Sequence, residues 1–573
     1  MKNLILLLLS PFFLLGSFIL GLFPKEANPP ADESQSPITV CAAPGGTLIR
    51  AAKNGKFIGV MPGWGNYSYK ISTSNDSAQF YFDQGLNLYY SYHMKEALAS
   101  FKESSRLAPG SAMTYWGQAL AMGPYYNAAH TYKMPAEIQS VLNNMNEKIA
   151  LTTGKEKAMI EIMNYRYSND LTDSKRKDLN LAYAASMREL ILAYPDDLDI
   201  KALYVDAIML IHAWDFWNND GSPKPWTDEV VRLCETILEK NPDHPAALHY
   251  HIHLTEASRH PEQALPNADK LKELFPGVAH MVHMSSHEYQ RNGLFAKGVA
   301  VNDAADENLL RYDSLAKNLG LVKHSPHYFA VQTYCALSGG MYETAMRDAT
   351  RCRKSVAPTP ETTYDQYLYM LPSLTLVRLG KWDEILKDNT VPDQHWTYAT
   401  LLNDFSKGMA YVNTGKIDLA KKHLSQLQKK TKDPILEKRR IPFNAPLPIA
   451  LIAGKILEGS IYFKEKNAVA AIASLNEAVK IEDGLIYTEP NDWPIPARQF
   501  LGAFYLKLRK PSLAEKVYQE DLVWNPGNGW SYLGLYQSSI AQKKTKNLSE
   551  YKRKYELAFS HAESIPEGSV FIR

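Results

Sequence analysis

Residues 78–111 read AQFYFDQGLNLYYSYHMKEALASFKESSRLAPGS, and this stretch sets the pattern for most of the chain. Gly85 and Ala97 hold its eighth and twentieth places, Phe101 its twenty-fourth, and Pro109 its last place but two. Small residues at the first two places let two helices pack closely, and a proline near the end stops the second helix. The stretch therefore predicts an antiparallel helix pair.

The same register returns four more times along the chain. The further copies start at Pro245, Leu401, Ile452 and Ile495. Their matching places are filled by Ala264, Ala268 and Pro276; by Gly408, Tyr411, Ala420 and Leu424; by Gly459, Tyr462, Ala471, Leu475 and Ala478; and by Gly502, Tyr505, Ala514, Tyr518 and Pro526. This period and residue pattern are those of the tetratricopeptide repeat. The sequence predicts an all-α fold, a right-handed superhelix (α-solenoid) of antiparallel helix pairs over residues 77–565, with C-terminal repeats at 401–565.

Length and charge narrow the classes of function. At 573 residues the chain is too long for one ordinary core, so several domains or one extended repeat array is expected. Its 63 basic and 61 acidic residues nearly cancel, and no basic stripe is present. We therefore predict no nucleic-acid partner. The chain also has no glycine-rich phosphate loop, no nucleophile elbow and no paired-cysteine zinc motif.

The N-terminus differs from the rest of the chain. Lys2 precedes a mostly apolar run over residues 4–23, which is long for a signal-peptide core and close to the roughly 20 residues that span a bilayer. Residues 1–23 predict a cleaved signal peptide, with an uncleaved membrane anchor as the alternative because no clear cleavage site follows. The protein is thus expected to be periplasmic or extracellular, or anchored to the cytoplasmic membrane and facing outward. Residues 24–76, rich in Pro, Gly, Ser and Asn, predict a linker that holds a hairpin at most.

Two loops are rich in aromatic residues. One covers residues 214–226 and the other residues 484–496, and loops of this kind are more often packed lids than free tethers. In the second loop and just after it, Glu489, Trp493 and Arg498 make a polar region inside an otherwise apolar C-terminal groove. This region is expected either to close over the groove or to cap a helix.

Histidine is concentrated in the middle of the chain. Ten of the 16 histidines lie between His244 and His327, far more than an even spread would place there. Three successive repeats place these residues in their first helices. The first repeat has His249, His253 and Glu256 at its fifth, ninth and twelfth places, and the next has His280, His283 and His287 at its second, fifth and ninth places. The third has His327 at its second place, with His324 just before the repeat. At about 100° per residue these places share one helix face. They are predicted to line the concave groove of the superhelix over residues 244–327.

These side chains suit a transition metal. Imidazole is the commonest protein ligand for zinc, copper and iron, and a catalytic site typically uses three protein ligands and an open position. The predicted ligands are His249, His253, His280, His283, His287, His324 and His327. Zinc or copper is favoured, with iron as a further candidate. Glu256 is the candidate catalytic base. Alternatively, Glu256 or Asp206 is a metal ligand, or a residue that hydrogen-bonds to a metal ligand.

Other residues in this region have simpler interpretations. Met281 and Met284 would suit copper, but methionine at helical spacing usually packs in a core. We assign His244 to a helix start, His251 to a helix–helix contact and His260 to a turn. The remaining histidines alternatively line a peptide-binding groove. Metal binding is favoured for them, because burying so many imidazoles as mere packing would leave ring nitrogens unpaired.

Five segments carry a family resemblance. They are residues 114–124 (TYWGQALAMGP), 249–253 (HYHIH), 280–287 (HMVHMSSH), 487–493 (YTEPNDW) and 525–535 (NPGNGWSYLGL). Together they resemble a family of bacterial tetratricopeptide-repeat proteins with a His-x-x-His-Met-Pro-Ser-His-like signature. The chain differs in having Ser285 in place of proline, and HSPH at 324–327 in place of His-Asn-x-His. The resemblance covers residue 75 onward and implies the repeat fold and the histidine site, but it supplies no reaction.

Two functions therefore remain open from the sequence. The first is an exported protein with a histidine-lined metal-binding groove, which extends to a metalloenzyme whose reaction is unknown. The second is a scaffold that binds a peptide or protein partner in the same groove without catalysis. Metal content is what separates the two.

Overall fold

The structure is a computed structural model in which the described residues are 49–315, 319, 326–439 and 443–572. They all belong to one structural unit, Ser36–Arg573. The predicted signal peptide or anchor at 1–23, the first part of the predicted linker and His324 lie outside the described residues. What the sequence indicates for them stays a prediction.

Helices dominate the described part of the chain. It contains no β-strand, and its one isolated bridge joins Trp217 to Pro223. The first eight α-helices are α1 (Asp76–Tyr90), α2 (Met94–Leu107), α3 (Ala112–Met122), α4 (Ile138–Glu147), α5 (Gly154–Asn164), α6 (Arg176–Ala193), α7 (Leu198–Ile211) and α8 (Thr227–Lys240). The next eight are α9 (Pro245–Thr255), α10 (Leu265–Leu274), α11 (Ala279–Arg291), α12 (Phe295–Leu315), α13 (Pro326–Ser338), α14 (Tyr342–Lys354), α15 (Thr363–Arg378) and α16 (Trp382–Lys387). The last eight are α17 (Thr397–Asn413), α18 (Ile417–Lys430), α19 (Pro446–Lys464), α20 (Ala468–Asp483), α21 (Ala497–Lys507), α22 (Pro511–Trp524), α23 (Gly529–Ala541) and α24 (Leu548–Ala558).

Consecutive helices pack against each other along the whole array, which makes the fold the predicted α-solenoid. The first repeat shows why its small residues are needed. Phe101 of α2 is fully buried, and its ring lies between Gly85 of α1 and Gly117 of α3. A Cβ atom added to Gly85 would lie 2.7 Å from the Phe101 ring, and one added to Gly117 would lie 2.3 Å from it. The two glycines thus make room for the ring that joins three helices.

The C-terminal repeats use the same device, and it gives a first prediction. The buried ring of Tyr518 lies between Gly502 and Gly534, and a Cβ on Gly534 would come within 2.3 Å of it. We expect Gly534→Ala to lower stability by about 1–3 kcal/mol, because overpacking outweighs the better helix propensity of alanine. Thermal unfolding followed by circular dichroism measures the effect. Gly110→Ala is the control, since no atom lies within 4 Å of its added Cβ, and an equal loss in both variants would contradict the packing argument.

The solenoid closes on itself rather than leaving an open groove. The turn after α11 meets the turn after α22, and Arg291 donates a hydrogen bond to the carbonyl of Trp524 (3.3 Å). Gly293 and Gly527 have φ of +73° and +72° there, and a Cβ on Gly293 would lie 2.3 Å from the Gly527 carbonyl oxygen. Both turns need glycine because of this φ and this close approach. The C-terminal repeats therefore pack against the middle ones.

The described part of the predicted linker, residues 49–75, also packs against the solenoid. It contains no strand, and Ile58, Met61 and Trp64 are buried. The amide of Gly277 donates to the carbonyl of Gly63 (2.9 Å), far along the chain. This segment is therefore part of the folded body.

One described helix, α19, is long and apolar enough to cross a membrane by length and composition alone, with a mean hydropathy of 1.2. Buried residues make up 61% of that stretch. The helix packs against α17, α20 and α21. Its apolar character is accounted for by its place in the core of the repeats.

Candidate metal centre

Three successive first helices of the repeats bring six histidines together. His249 and His253 lie on α9, spaced one turn apart, and His280, His283 and His287 lie on one face of α11. His327 lies in the first turn of α13. Local sequence sets the phase of these helices, because Pro245 and Pro326 each occupy the first helical position. His244 caps α9, with its Nδ1 accepting from the amide of Ala247 (3.4 Å).

The six rings form two triads, and each triad joins two neighbouring helices. His249, His253 and His280 make the first triad. His283, His287 and His327 make the second triad. In each triad the three candidate ligand atoms lie within 4.8 Å of one another. The structure thus brings together every predicted ligand except His324, which lies outside the described residues.

The first triad has a defined tautomer at its centre. Nδ1 of His249 lies 2.7 Å from the carbonyl oxygen of Tyr90, and only a ring N–H can bond to that oxygen. Its Nε2 therefore carries the lone pair, and it faces Nε2 of His280 at 3.2 Å. Nε2 of His253 is buried and has no hydrogen-bond partner among the described residues. A backbone carbonyl that fixes the outer nitrogen is the usual support of a metal-binding histidine.

The second triad repeats this arrangement. Nδ1 of His283 donates to Oδ1 of Asn302 (2.6 Å), and the orientation of that amide is fixed because its nitrogen donates to the carbonyl of Gly298 (2.7 Å). Nε2 of His283 therefore carries a lone pair and faces Nε2 of His287 at 3.1 Å. Nε2 of His327 is buried and unpaired among the described residues.

The distances between facing nitrogens fit a shared ion. Two nitrogens that bind one tetrahedral metal at about 2.0–2.1 Å lie about 3.3 Å apart. The separations are 3.2 Å for the His249–His280 pair and 3.1 Å for the His283–His287 pair. At the same spacing, an N–H at Nε2 of His280 can instead donate to Nε2 of His249. Nδ1 of His280 would then be a buried acceptor without a partner among the described residues. A cation between the lone pairs satisfies both nitrogens at once.

Burial keeps these rings neutral. All six are at most 4% exposed. Burial lowers the pKa of His253 and His327 to about 4. Burial, together with neighbouring imidazoles, lowers the pKa of His249, His280, His283 and His287 well below the usual range. Each ring therefore offers a lone pair at neutral pH, as a metal ligand must.

Glu256 connects the two triads. Its Oε1 lies 3.1 Å from Nδ1 of His253 in the first triad. Its Oε2 lies 3.4 Å from Nδ1 of His287 in the second, which is an electrostatic contact rather than a well-aligned hydrogen bond. The carboxylate thus orients one ring in each triad and leaves the inner nitrogens free to bind.

A second carboxyl group, that of Glu489, joins Glu256 from the loop before α21. The two carboxyl groups are hydrogen-bonded, and burial with mutual repulsion raises the pKa of Glu489 well above its usual range. Burial also raises the pKa of Glu256. The hydroxyl of Tyr487 donates to Glu256 (3.2 Å), and Nε1 of Trp214 donates to Glu489 (3.2 Å). The pair therefore holds a proton beside both triads.

The two aromatic loops cover this centre, as the sequence predicted for packed lids. Tyr126 stacks on Trp214 with ring centroids 4.3 Å apart, and Tyr126 also contacts the ring of His253 at 4.9 Å. The loops touch each other where Asn219 donates to the carbonyl of Gly484 (3.0 Å). The histidines consequently lie in an enclosed site and not along an open groove.

The remaining residues singled out in the sequence take structural places. His251 bonds to Asn267 (3.0 Å), and exposed His260 pairs with Glu262 (3.1 Å). Met281 and Met284 are buried in the hydrophobic core. Asp206 accepts from Tyr89 (2.6 Å) and is not a member of either triad. Ser285, where the resembling family has proline, donates to the carbonyl of Ala268 (2.6 Å) and ties α11 to α10.

The sequence did not predict that Glu489 and His93 lie beside the site. Glu489 was expected only in the polar loop region, because it is far along the chain from the histidines. His93, directly before α2, accepts at Nε2 from the amide of His280 (3.4 Å). Its only sequence signal is that it is a further histidine near a helix start.

Comparison with known proteins adds little to this picture. No family model and no curated protein sequence matches the chain. Among solved structures, the human IFIT1 dimer with m7Gppp-AAAA is 12% identical with a TM-score of 0.31, covering 86% of this chain and 92% of that one. Yeast Tom70 is 13% identical with a TM-score of 0.33, covering 84% and 89%. Similarities this weak carry no inference about function.

Proposed function

We propose that this protein is an exported metalloprotein of the tetratricopeptide-repeat type that binds two transition-metal ions, one in each histidine triad. Zinc and copper suit neutral imidazole ligands best, and iron is the next candidate. Three ligands per ion leave a coordination position open, which is the arrangement of catalytic sites. The proposal therefore extends to a metalloenzyme, with the reaction left open.

One observation carries the proposal. The outer nitrogens of His249 and His283 donate to fixed acceptors, so their inner lone pairs face a second imidazole nitrogen at 3.2 and 3.1 Å. Without a cation, Nε2 of His253 and Nε2 of His327 stay buried and unpaired among the described residues. Each unpaired buried polar group costs about 1–3 kcal/mol. A bound ion removes this cost at both triads.

The carboxyl pair supplies the proton chemistry for such a centre. Glu256 and Glu489 hold one proton between them, next to His253 of the first triad and His287 of the second. A metal bound there supplies a Lewis acid, while the pair can take up or release a proton at Glu256. This assigns Glu256 two roles, orientation of the ligands and proton transfer.

The alternative is a scaffold that binds a peptide or protein without catalysis. A partner bound in a solenoid groove would need the histidines to be accessible. They are at most 4% exposed and covered by Trp214 and the loop of Glu489. The alternative thus gives the histidines no role unless the lids open.

Metal analysis tests the proposal directly. Protein purified without an affinity tag and without added metal should hold about two transition-metal ions per chain, since there are two triads. Plasma mass spectrometry of the gel-filtered protein measures this number. Prolonged dialysis against a chelator should remove the ions while far-UV circular dichroism stays helical, because the core of the repeats does not depend on them.

Cobalt provides the control for site geometry. Cobalt(II) added to the stripped protein should give the intense visible bands of a four-coordinate nitrogen site at two equivalents. Protein that neither retains nor takes up metal, yet binds a peptide, would instead establish the scaffold function.

A further inference from the structure

A narrow cleft lies beside the metal centre and shares its supporting elements. It is lined by the end of α11, by α13, and by the loop before α21, with about 430 Å³ of space between its walls, including the part open to solvent. Arg291 of the cleft follows His287 by one helical turn, and Tyr334 follows His327 on α13. Asn491 of the cleft is two residues beyond Glu489.

Arg378, at the end of α15, presents an unpaired cation to this cleft. The residue is only 4% exposed. Its Nη2 donates to Oε1 of Gln499 (2.6 Å), but its Nε and Nη1 have no acceptor among the described residues. These two nitrogens carry three N–H bonds. A buried guanidinium normally has a carboxylate partner, because an uncompensated buried charge is costly.

Stacking explains the position of Arg378 but not its free donors. Its guanidinium lies 3.9 Å from the centroid of the Trp530 ring, in a cation–π contact. That contact uses the face of the guanidinium, whereas the N–H bonds lie in its plane and point past the ring. An acceptor in the cleft is still needed.

The charges around the cleft also favour an anion. The guanidinium groups of Arg291 and Arg378 both act on the hydroxyl of Tyr334, although burial still raises the pKa of Tyr334 to about 12. Asp521, behind Gln499, is the carboxyl group that acts on Arg378, whereas Glu256 and Glu288 face Arg291. The oxygens of Asp521 already accept hydrogen bonds from Gln499, Asn525, Asn528 and Ser531. The end of the cleft at Arg378 is therefore positive, with no carboxylate bonded to this guanidinium among the described residues.

The walls indicate the kind of anion. Phe295, Trp530 and three prolines form the apolar part of the walls, and amide, hydroxyl and guanidinium side chains form the rest. This limited space suits the planar carboxylate of a small or narrow ligand better than a bulky, fully hydrated anion. The buried amide oxygen of Gln290 has no partner among the described residues. Rotation of that amide would turn its NH₂ group into a further donor.

We propose that this cleft binds the carboxylate group of an organic acid, with Arg378 as the residue that recognises it. Such a ligand lies next to the proposed metal centre, where a carboxylate-bearing substrate would be held. The carboxylate arises either from a free small acid or from the C-terminus of a peptide. Binding at Arg378 does not require the metal, so this inference stands apart from the proposed function.

The test measures the thermal unfolding midpoint of the full chain at constant ionic strength. Sodium acetate replaces sodium chloride in one series, and a tetrapeptide with a free C-terminus is added in another, each with and without zinc. We expect a saturable rise in the midpoint with both probes, and none with the same peptide carrying a C-terminal amide. A response to the free-acid peptide alone would assign the site to peptide C-termini. A response to acetate alone would assign it to small acids.

Two arginine variants complete the test. Arg378→Met should weaken the response about tenfold or more, and should leave the midpoint without ligand unchanged or raised, because it removes an uncompensated charge. Arg498→Met is the matched control, since Arg498 is similarly buried but is paired with Asp483 (2.5 Å). It should lower the midpoint and keep the response. Tyr334→Phe, which removes only a hydroxyl, should weaken the response modestly and serves if Arg378→Met fails to fold.

Three results would overturn the proposal. The first is the absence of a saturable carboxylate response in the unaltered protein. The second is an equal response to inorganic phosphate or to the amidated peptide. The third is a loss of stability in Arg378→Met as large as that in Arg498→Met, which would make Arg378 a structural residue.

Discussion

His287→Leu is expected to abolish metal binding at the second triad and to leave the first triad loaded. His287 supplies the nitrogen that faces His283 at 3.1 Å, and leucine has a similar volume but no ligand atom. Loss of an outer partner alone typically costs 10–100-fold in affinity, so loss of a ligand should cost more than about 100-fold. The metal content should fall from about two ions per chain to about one. Plasma mass spectrometry and cobalt titration measure it.

The choice of leucine follows from burial. His287 is 1% exposed, and alanine at this position would leave a cavity that confuses loss of metal with loss of stability. His251→Leu is the matched control, because His251 lies buried on α9 but bonds to Asn267 outside both triads. It should keep both ions. Retention of two ions by His287→Leu, or an equal loss in the control, would refute the assignment of the second triad.

Much of the fold was predictable because it repeats. Gly85 and Phe101 occupy the eighth and twenty-fourth places of a helix pair, and these two places contact each other again as Gly459 with Leu475 and as Gly502 with Tyr518. The phase of the histidines was predictable for the same reason, since helical spacing alone places His249 with His253 and His283 with His287. Local periodicity carries this information without any tertiary contact.

The enclosure of the site was not predictable in the same way. Glu489 reaches Trp214 across 275 residues, and Arg291 reaches the carbonyl of Trp524 across 233. Contacts of this separation depend on how far the solenoid curves, which no repeat encodes by itself. The sequence indicated packed lids, but it could not show that they meet over the histidines. It also could not divide six of the seven candidate ligands into two triads.

Substitution of Glu256 or Glu489 separates two roles of the carboxyl pair, orientation of the metal ligands and storage of a proton. Glu256→Gln should weaken metal binding at both triads, by about 10–100-fold each, because the carboxylate faces Nδ1 of His253 at 3.1 Å and Nδ1 of His287 at 3.4 Å. A neutral amide no longer stabilises these N–H groups electrostatically. Competition with a chromophoric chelator measures both dissociation constants.

Glu489→Gln is the matched variant, and it should leave both metal affinities nearly unchanged. Its amide keeps an oxygen to accept from Trp214 and gains an N–H that can donate to Glu256, in place of the shared proton. The pair then stays hydrogen-bonded, and the Glu256 carboxyl group keeps its place beside a histidine of each triad. If Glu256→Gln weakened only one triad, the carboxylate would not connect them. If Glu489→Gln weakened both triads as strongly as Glu256→Gln does, the two carboxyl groups would act as one unit, and Glu256 would have no separate orienting role.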